Sequence, residues 1–184
     1  RSDFSNATTD GLKDLQGDPF SLETRLAASS SLLQSGNQEK AAAVLWEGAC
    51  LLAETQLRQH DVLELLQALR PLRWSADEER LEASVRLEMG GRREAGLALA
   101  CLQRAFRAEP NHAGTLLMLA RTFDCLQEAT KATAVLKEGV RIALGAGSLS
   151  LGEPLIAELL RRASHDHEVR ELAAVFARHR EQGL

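Results

Sequence analysis

Histidine and cysteine have the widest chemical reach of the residues in this chain, so their spacing comes first. His165, Asp166 and His167 follow one another directly, and His179 comes later in the same stretch. A zinc site needs three or four such donors converging on one point. Alternating residues at a helix start point in different directions, so this cluster reads as a solvated helix start and no metal is expected. His60-Asp61 and Asn111-His112 read the same way. Cys50, Cys101 and Cys125 are odd in number, far apart and set among apolar residues. That is the pattern of buried free thiols in a reducing compartment, and it makes a cytoplasmic location the expectation.

Nucleophilic catalysis would call for a Ser or Cys on a strained turn beside a base, as in G-x-S-x-G, and the chain contains no such pentapeptide. Ser29-Ser30-Ser31 lies within a helical run. Phosphate-binding loops are also missing: Gly145-Ala146-Gly147 follows a helical pattern, where a dinucleotide fingerprint follows a strand. The expectation is therefore a non-enzyme without a cofactor.

The elements that carry these residues follow from composition. Of 184 residues 45% are hydrophobic, enough for a sizeable core, but only 4% are aromatic and none is Tyr. The chain leans on Ala, Leu, Arg, Glu and Gln, which lose little on entering a helix, so packing must come from Leu and Ala between helices. A net charge of −4 argues against nucleic acid as partner, and the pairs Arg92-Arg93 and Arg161-Arg162 and the triplet Arg178-His179-Arg180 stand beside acids as solvated helix surface. No apolar run reaches the roughly 18–20 residues of a membrane span.

Along the chain, residues 1–17 mix polar residues without periodicity and read as a flexible N-terminal arm or linker, whose Phe4 and Leu12 would pack in a groove if one is open. Opening on Arg1 instead of Met leads us to expect a leader, tag or upstream domain. Residues 18–184 read as one helical-repeat domain. Its first helix is expected to start at Asp18-Pro19 and to bury Leu22, Leu26, Ser29 and Leu33 before Gly36. Ala41 to Leu52 forms the next. A shorter helix carrying Val62, Leu65, Leu66 and Leu69 stops near Pro71, and Ser75-Ala76-Asp77-Glu78 reads as a capping box opening another that ends at Gly90-Gly91. Five further periodic runs follow, centred on Leu102, Leu119, Leu136, Leu159 and Leu172. The count is about nine helices.

Leu116, Leu119, Ala120 and Phe123, followed by Ala132, Leu136 and Gly139, resemble the two helices of a tetratricopeptide repeat (TPR), with Pro110 where a preceding repeat closes. Leu32, Gly36, Ala41, Leu45 and Gly48 make a fainter copy. The chain departs from the pattern at Gln127, where the family has a loop glycine, and at Ala129 and Leu144. Residues 57–91 enter register only with an insertion near Gly90-Gly91. The resemblance implies an all-α fold, a right-handed solenoid of antiparallel helical hairpins that binds a partner peptide or helix in a concave groove lined by first helices. On that match the partner-binding positions are Leu117, Arg121, Asp124 and Cys125, and on the first hairpin Leu26, Ser30 and Gln34. Arg121 is singled out because a planar guanidinium grips a carboxylate at two points.

The function expected is an adaptor, chaperone or regulatory scaffold holding a protein or peptide. The alternative is the C-terminal helical-repeat domain of a larger signalling or transferase enzyme, serving its targeting or regulation. Val169, Leu172, Val175 and Phe176 give the last helix a broad apolar face, which raises homodimerisation through that helix.

Overall fold

The computed structural model describes residue 18, residues 20–55 and residues 58–181. Among these there are nine helices and no strand: α1 (Leu22–Gln34), α2 (Gln38–Glu54), α3 (Gln59–Leu69), α4 (Ala76–Met89), α5 (Arg92–Ala108), α6 (Ala113–Cys125), α7 (Ala129–Gly145), α8 (Leu149–Ala163) and α9 (His167–Glu181). They divide into two compact units between Met89 and Gly90. The arm expected at residues 1–17, and Pro19, lie outside the described residues.

In the first unit α1, α2, α3 and α4 pack in succession, and α1 also reaches α3. Helix α1 starts later than the sequence suggests. Its N-cap is Ser21, whose hydroxyl accepts from the Thr24 amide at 3.2 Å, while Asp18 accepts from the Phe20 amide outside the helix. Its inward stripe also differs from the expected one. Ala28, Ser29 and Leu32 are buried together with Arg25, whereas Leu33 is 40% exposed. Gly48 of α2 is the reason: a Cβ there would collide with the Arg25 side chain, and the missing Cβ leaves room for its stem. The Arg25 guanidinium donates from Nη1 to the Val44 carbonyl at 3.0 Å, which partners a group that burial would otherwise penalise. Below it Leu45, Leu52, Leu65, Leu66 and Leu69 form the core between α2 and α3.

Helix α4 opens with the expected capping box. The Ser75 amide donates to Glu78 Oε2 at 2.8 Å, the Ser75 hydroxyl bonds the same oxygen, and Arg73 Nε reaches Glu78 Oε1 at 2.9 Å. Burial alone would raise the Glu78 pKa, but these hydrogen bonds to the charged form hold it below the usual carboxylate range. Glu79 and Glu82 are buried as well, which the sequence pattern does not reveal. Trp74 Nε1 donates to Glu79 at 2.7 Å, and Glu82 is held by Arg70 at 2.7 Å and by Arg86 at 2.8 Å. Arg70 in turn lies 4.0 Å over the Trp74 ring. These contacts close the long connection between α3 and α4, within the stretch 57–91 that departs from the repeat pattern.

In the second unit the five helices again pack in succession, and α6 also meets α8 while α7 meets α9. This gives two layers, one containing α6 and α8, the other α7 and α9. Leu136, Val140, Leu155, Leu159 and Val169 fill the space between them. Two glycines permit the close approach: a Cβ on Gly139 would stand 2.9 Å from both Leu116 Cδ1 and Leu155 Cδ1, and one on Gly152 would run into the Phe176 ring.

Three turns repeat a single geometry. The amides of Asn37, Glu128 and Ser148 donate back to the carbonyls of Leu32, Phe123 and Ala143 at 2.8, 2.8 and 2.9 Å, across residues 36, 127 and 147 in the left-handed region. This is the Schellman helix stop, and it recurs in both units. Gly36 and Gly147 adopt the left-handed backbone without a Cβ penalty, but Gln127 adopts it at φ 64° with one.

Two stability measurements follow, both read from urea midpoints. Gly139→Leu is expected to lower stability by about 3 kcal/mol through overpacking against Leu116 and Leu155. Gln127→Gly is expected to raise it by about 0.5–1 kcal/mol by relieving the left-handed strain.

Candidate functional site

The residues the sequence singles out fall into two sets. Ser30 and Gln34 lie exposed on α1 in the first unit, with Leu26 half-buried against that unit's core. Leu117, Arg121, Asp124 and Cys125 lie on α6 in the second unit. Leu117 is half-buried and packs on the core, while Arg121, Asp124 and Cys125 are exposed. Cys125 thus departs from the expected buried thiol, because α6 ends there; Cys101 is buried and Cys50 half-buried. Burial, reinforced by Glu54, pushes the Cys50 thiol up in pKa, away from the reactive thiolate.

Asp124 is already engaged. Arg162 of α8 holds it through two parallel bonds, Nη1 to Oδ1 at 2.7 Å and Nη2 to Oδ2 at 2.5 Å. Glu158 completes the group, bonded by Arg162 Nε at 2.5 Å and by Arg161 at 2.8 and 2.7 Å. The Arg161 bonds, opposed by partial burial and helped by Arg162, bring the Glu158 carboxyl down to about 2. The network locks α6 to α8 and leaves Arg121 on the outer side of α6 with no ion-pair partner among the described residues. Of the three arginines on these two helices, Arg161 and Arg162 are committed to Glu158 and Asp124, and Arg121 is not. The uncommitted Arg121 guanidinium is suited to an acidic group brought from outside.

On the other layer, Lys137 of α7 donates to Asp166 at 2.8 Å and to Glu168 at 2.6 Å, and Arg141 pairs with Glu168. These bonds raise the Lys137 pKa and lower those of both carboxylates. Asp166 also caps α9, accepting from the Glu168 amide at 2.9 Å. The cluster His165-Asp166-His167 is therefore a helix start tied to α7. His167 stands 3.6 Å from Glu171, and His179 lies about 18 Å farther along α9, so these histidines do not converge. His112 likewise caps α6, accepting from the Thr115 amide at Nδ1. A feature the sequence did not announce is an apolar cavity of about 300 Å³ where α5, α6 and α7 meet, lined by Leu99, Phe106, Leu119, Phe123, Val135 and Ile142. No helix among the described residues is long and apolar enough to cross a membrane.

No family model matches the chain, and no curated protein matches it. Solved structures resemble it as follows. MamA is 19% identical, covering 98% of this chain and 91% of its own, at a TM-score of 0.49. TTC0263, a thermophilic TPR protein in Thermus thermophilus, is 21% identical, covering 85% of this chain and 100% of its own, at 0.42. PilW, a type IV pilus biogenesis factor, is 16% identical, covering 93% and 91%, at 0.37. Among the described residues the fold is all-α, with consecutive helices packed on one another within each unit.

The ion network makes a pH prediction. The Glu158 pKa is depressed from an ordinary 4.5 to about 2, so the stability it contributes is in place above pH 4.5 and is lost as pH falls toward 2. Because Arg161 is largely exposed, solvent screening limits the contribution to about 1 kcal/mol. Glu158→Gln is expected to unfold at lower urea than the wild type at pH 7, with the gap closing below pH 3.

Proposed function

We propose that this chain is a non-catalytic protein-interaction scaffold, an adaptor or chaperone, that holds an extended segment or helix of a partner against the face carried by α6 and α8. The observation that carries this reading is Arg121. It is an exposed guanidinium without an ion-pair partner among the described residues, placed on α6, which the Asp124–Arg162–Glu158 network holds against α8. A rigid first-helix face with one uncommitted, two-point donor favours a partner that presents a carboxylate, either an acidic side chain or a chain terminus. Ser30 and Gln34 offer hydrogen-bonding groups on α1 of the first unit for a partner that reaches it. Asp124 takes part by positioning, through Arg162, and Leu117 supplies half-buried apolar surface beside Arg121. Three thiols without a disulfide among the described residues suit a cytoplasmic setting.

The test is affinity capture from native lysate with the wild type, Arg121→Glu and Lys40→Glu, the last reversing an exposed charge on α2, with bound proteins identified by mass spectrometry. A partner retained by the wild type and Lys40→Glu but weakened at least about tenfold by Arg121→Glu is expected. Equal retention by all three would remove the α6 face from the interface.

A further inference from the structure

We propose that the last hairpin, α8 with α9, docks on a second copy of this chain about a two-fold axis running along the helices. The two helices leave an outward groove of about 310 Å³ between them. Most of the apolar face expected on α9 turns inward instead, since Val169 and Phe176 are buried against the core. What remains in the groove is Ile156, Ala157 and Leu160 from α8 with Ala173 and Ala177 from α9, and Leu160 is 37% exposed. Alanines on both walls let another pair of helices approach closely, as the glycines do inside the unit.

The groove carries one acid and one base, Glu153 on α8 and Arg180 on α9. Elsewhere on these helices Glu158 is matched by Arg161 and Arg162 and Glu168 by Lys137 and Arg141, while Glu171 stands 3.6 Å from His167 and Glu181 ends α9 outside the groove lining. Glu153 and Arg180 have no ion-pair partner among the described residues. They flank the same end of the groove, because Gly152 at the start of α8 lies against Phe176 near the end of α9.

A two-fold rotation along the helix direction keeps every residue at its level and lays α8 of one copy antiparallel on α9 of the other. Glu153 of each copy then faces Arg180 of its partner, and the pair forms twice. A groove with one acid on one wall and one base on the other is complementary to itself in this arrangement. That is why the occupant is a second copy and not an unrelated chain, which would have no reason to supply the reciprocal charges.

Sedimentation equilibrium of the full chain tests this. The wild type is expected to show a concentration-dependent dimer. Glu153→Arg and Arg180→Glu, each of which sets two like-charged pairs face to face, are expected to raise the dissociation constant roughly tenfold or more. An equimolar mixture of the two variants restores both opposite-charge pairs, and a dimer is expected to reappear, which also shows that each variant is folded. A wild type that stays monomeric, single variants that dimerise like it, or a mixture that stays monomeric would overturn the proposal. None of these outcomes bears on capture through Arg121, which is measured separately.

Discussion

Close helix approach is the constraint on which both units depend. A chain this poor in aromatic residues gains core density only by bringing backbones together, and it does so where a side chain is missing. Gly48 admits the stem of Arg25 between α1 and α2, Gly139 seats Leu116 and Leu155 at once, and Gly152 takes the Phe176 ring. Each glycine gives up helix propensity, about 1 kcal/mol against alanine, in return for contacts on another helix. The surface of the second unit inherits this rigidity, since α6 and α8 both lean on α7 at Gly139.

Charge supplies what apolar packing leaves open. In the first unit the irregular connection between α3 and α4 is closed by carboxylates buried on α4, each matched by Arg or Trp donors. In the second unit exposed pairs do a different job. They orient the last two helices through Lys137 and fix α6 to α8 through Arg162. Pairs of this exposure add little stability singly, but they decide which charges remain for a partner. Arg121 is left over on α6, and Glu153 and Arg180 on the terminal groove.

Helix order was legible because apolar residues recur at helical spacing and the stops are explicit: Gly36, Pro71, Pro110 and Gly147 all fall at or just beyond helix ends. The capping box at Ser75 and Glu78 was legible because its partners are three residues apart. Pairings across longer separations were not. Arg25 reads as a surface residue until Gly48, on the next helix, gives it a slot, and the stripe of α1 shifts from Leu33 to Leu32 as a result. Asp124 and Arg162 lie on different helices, so the sequence offered Asp124 as available when it is held. Gln127 stands where the resemblance implies a glycine, and the backbone keeps the left-handed turn there regardless.

The central claim is that the face bearing Arg121 holds a partner protein. Hydrogen–deuterium exchange of the chain, alone and with a captured partner bound, tests it most directly. The account predicts slowed exchange in peptides from α6 and α8, with α7 and α9 unchanged. Slowing confined to α7 and α9, with none in residues 113–125, would contradict it.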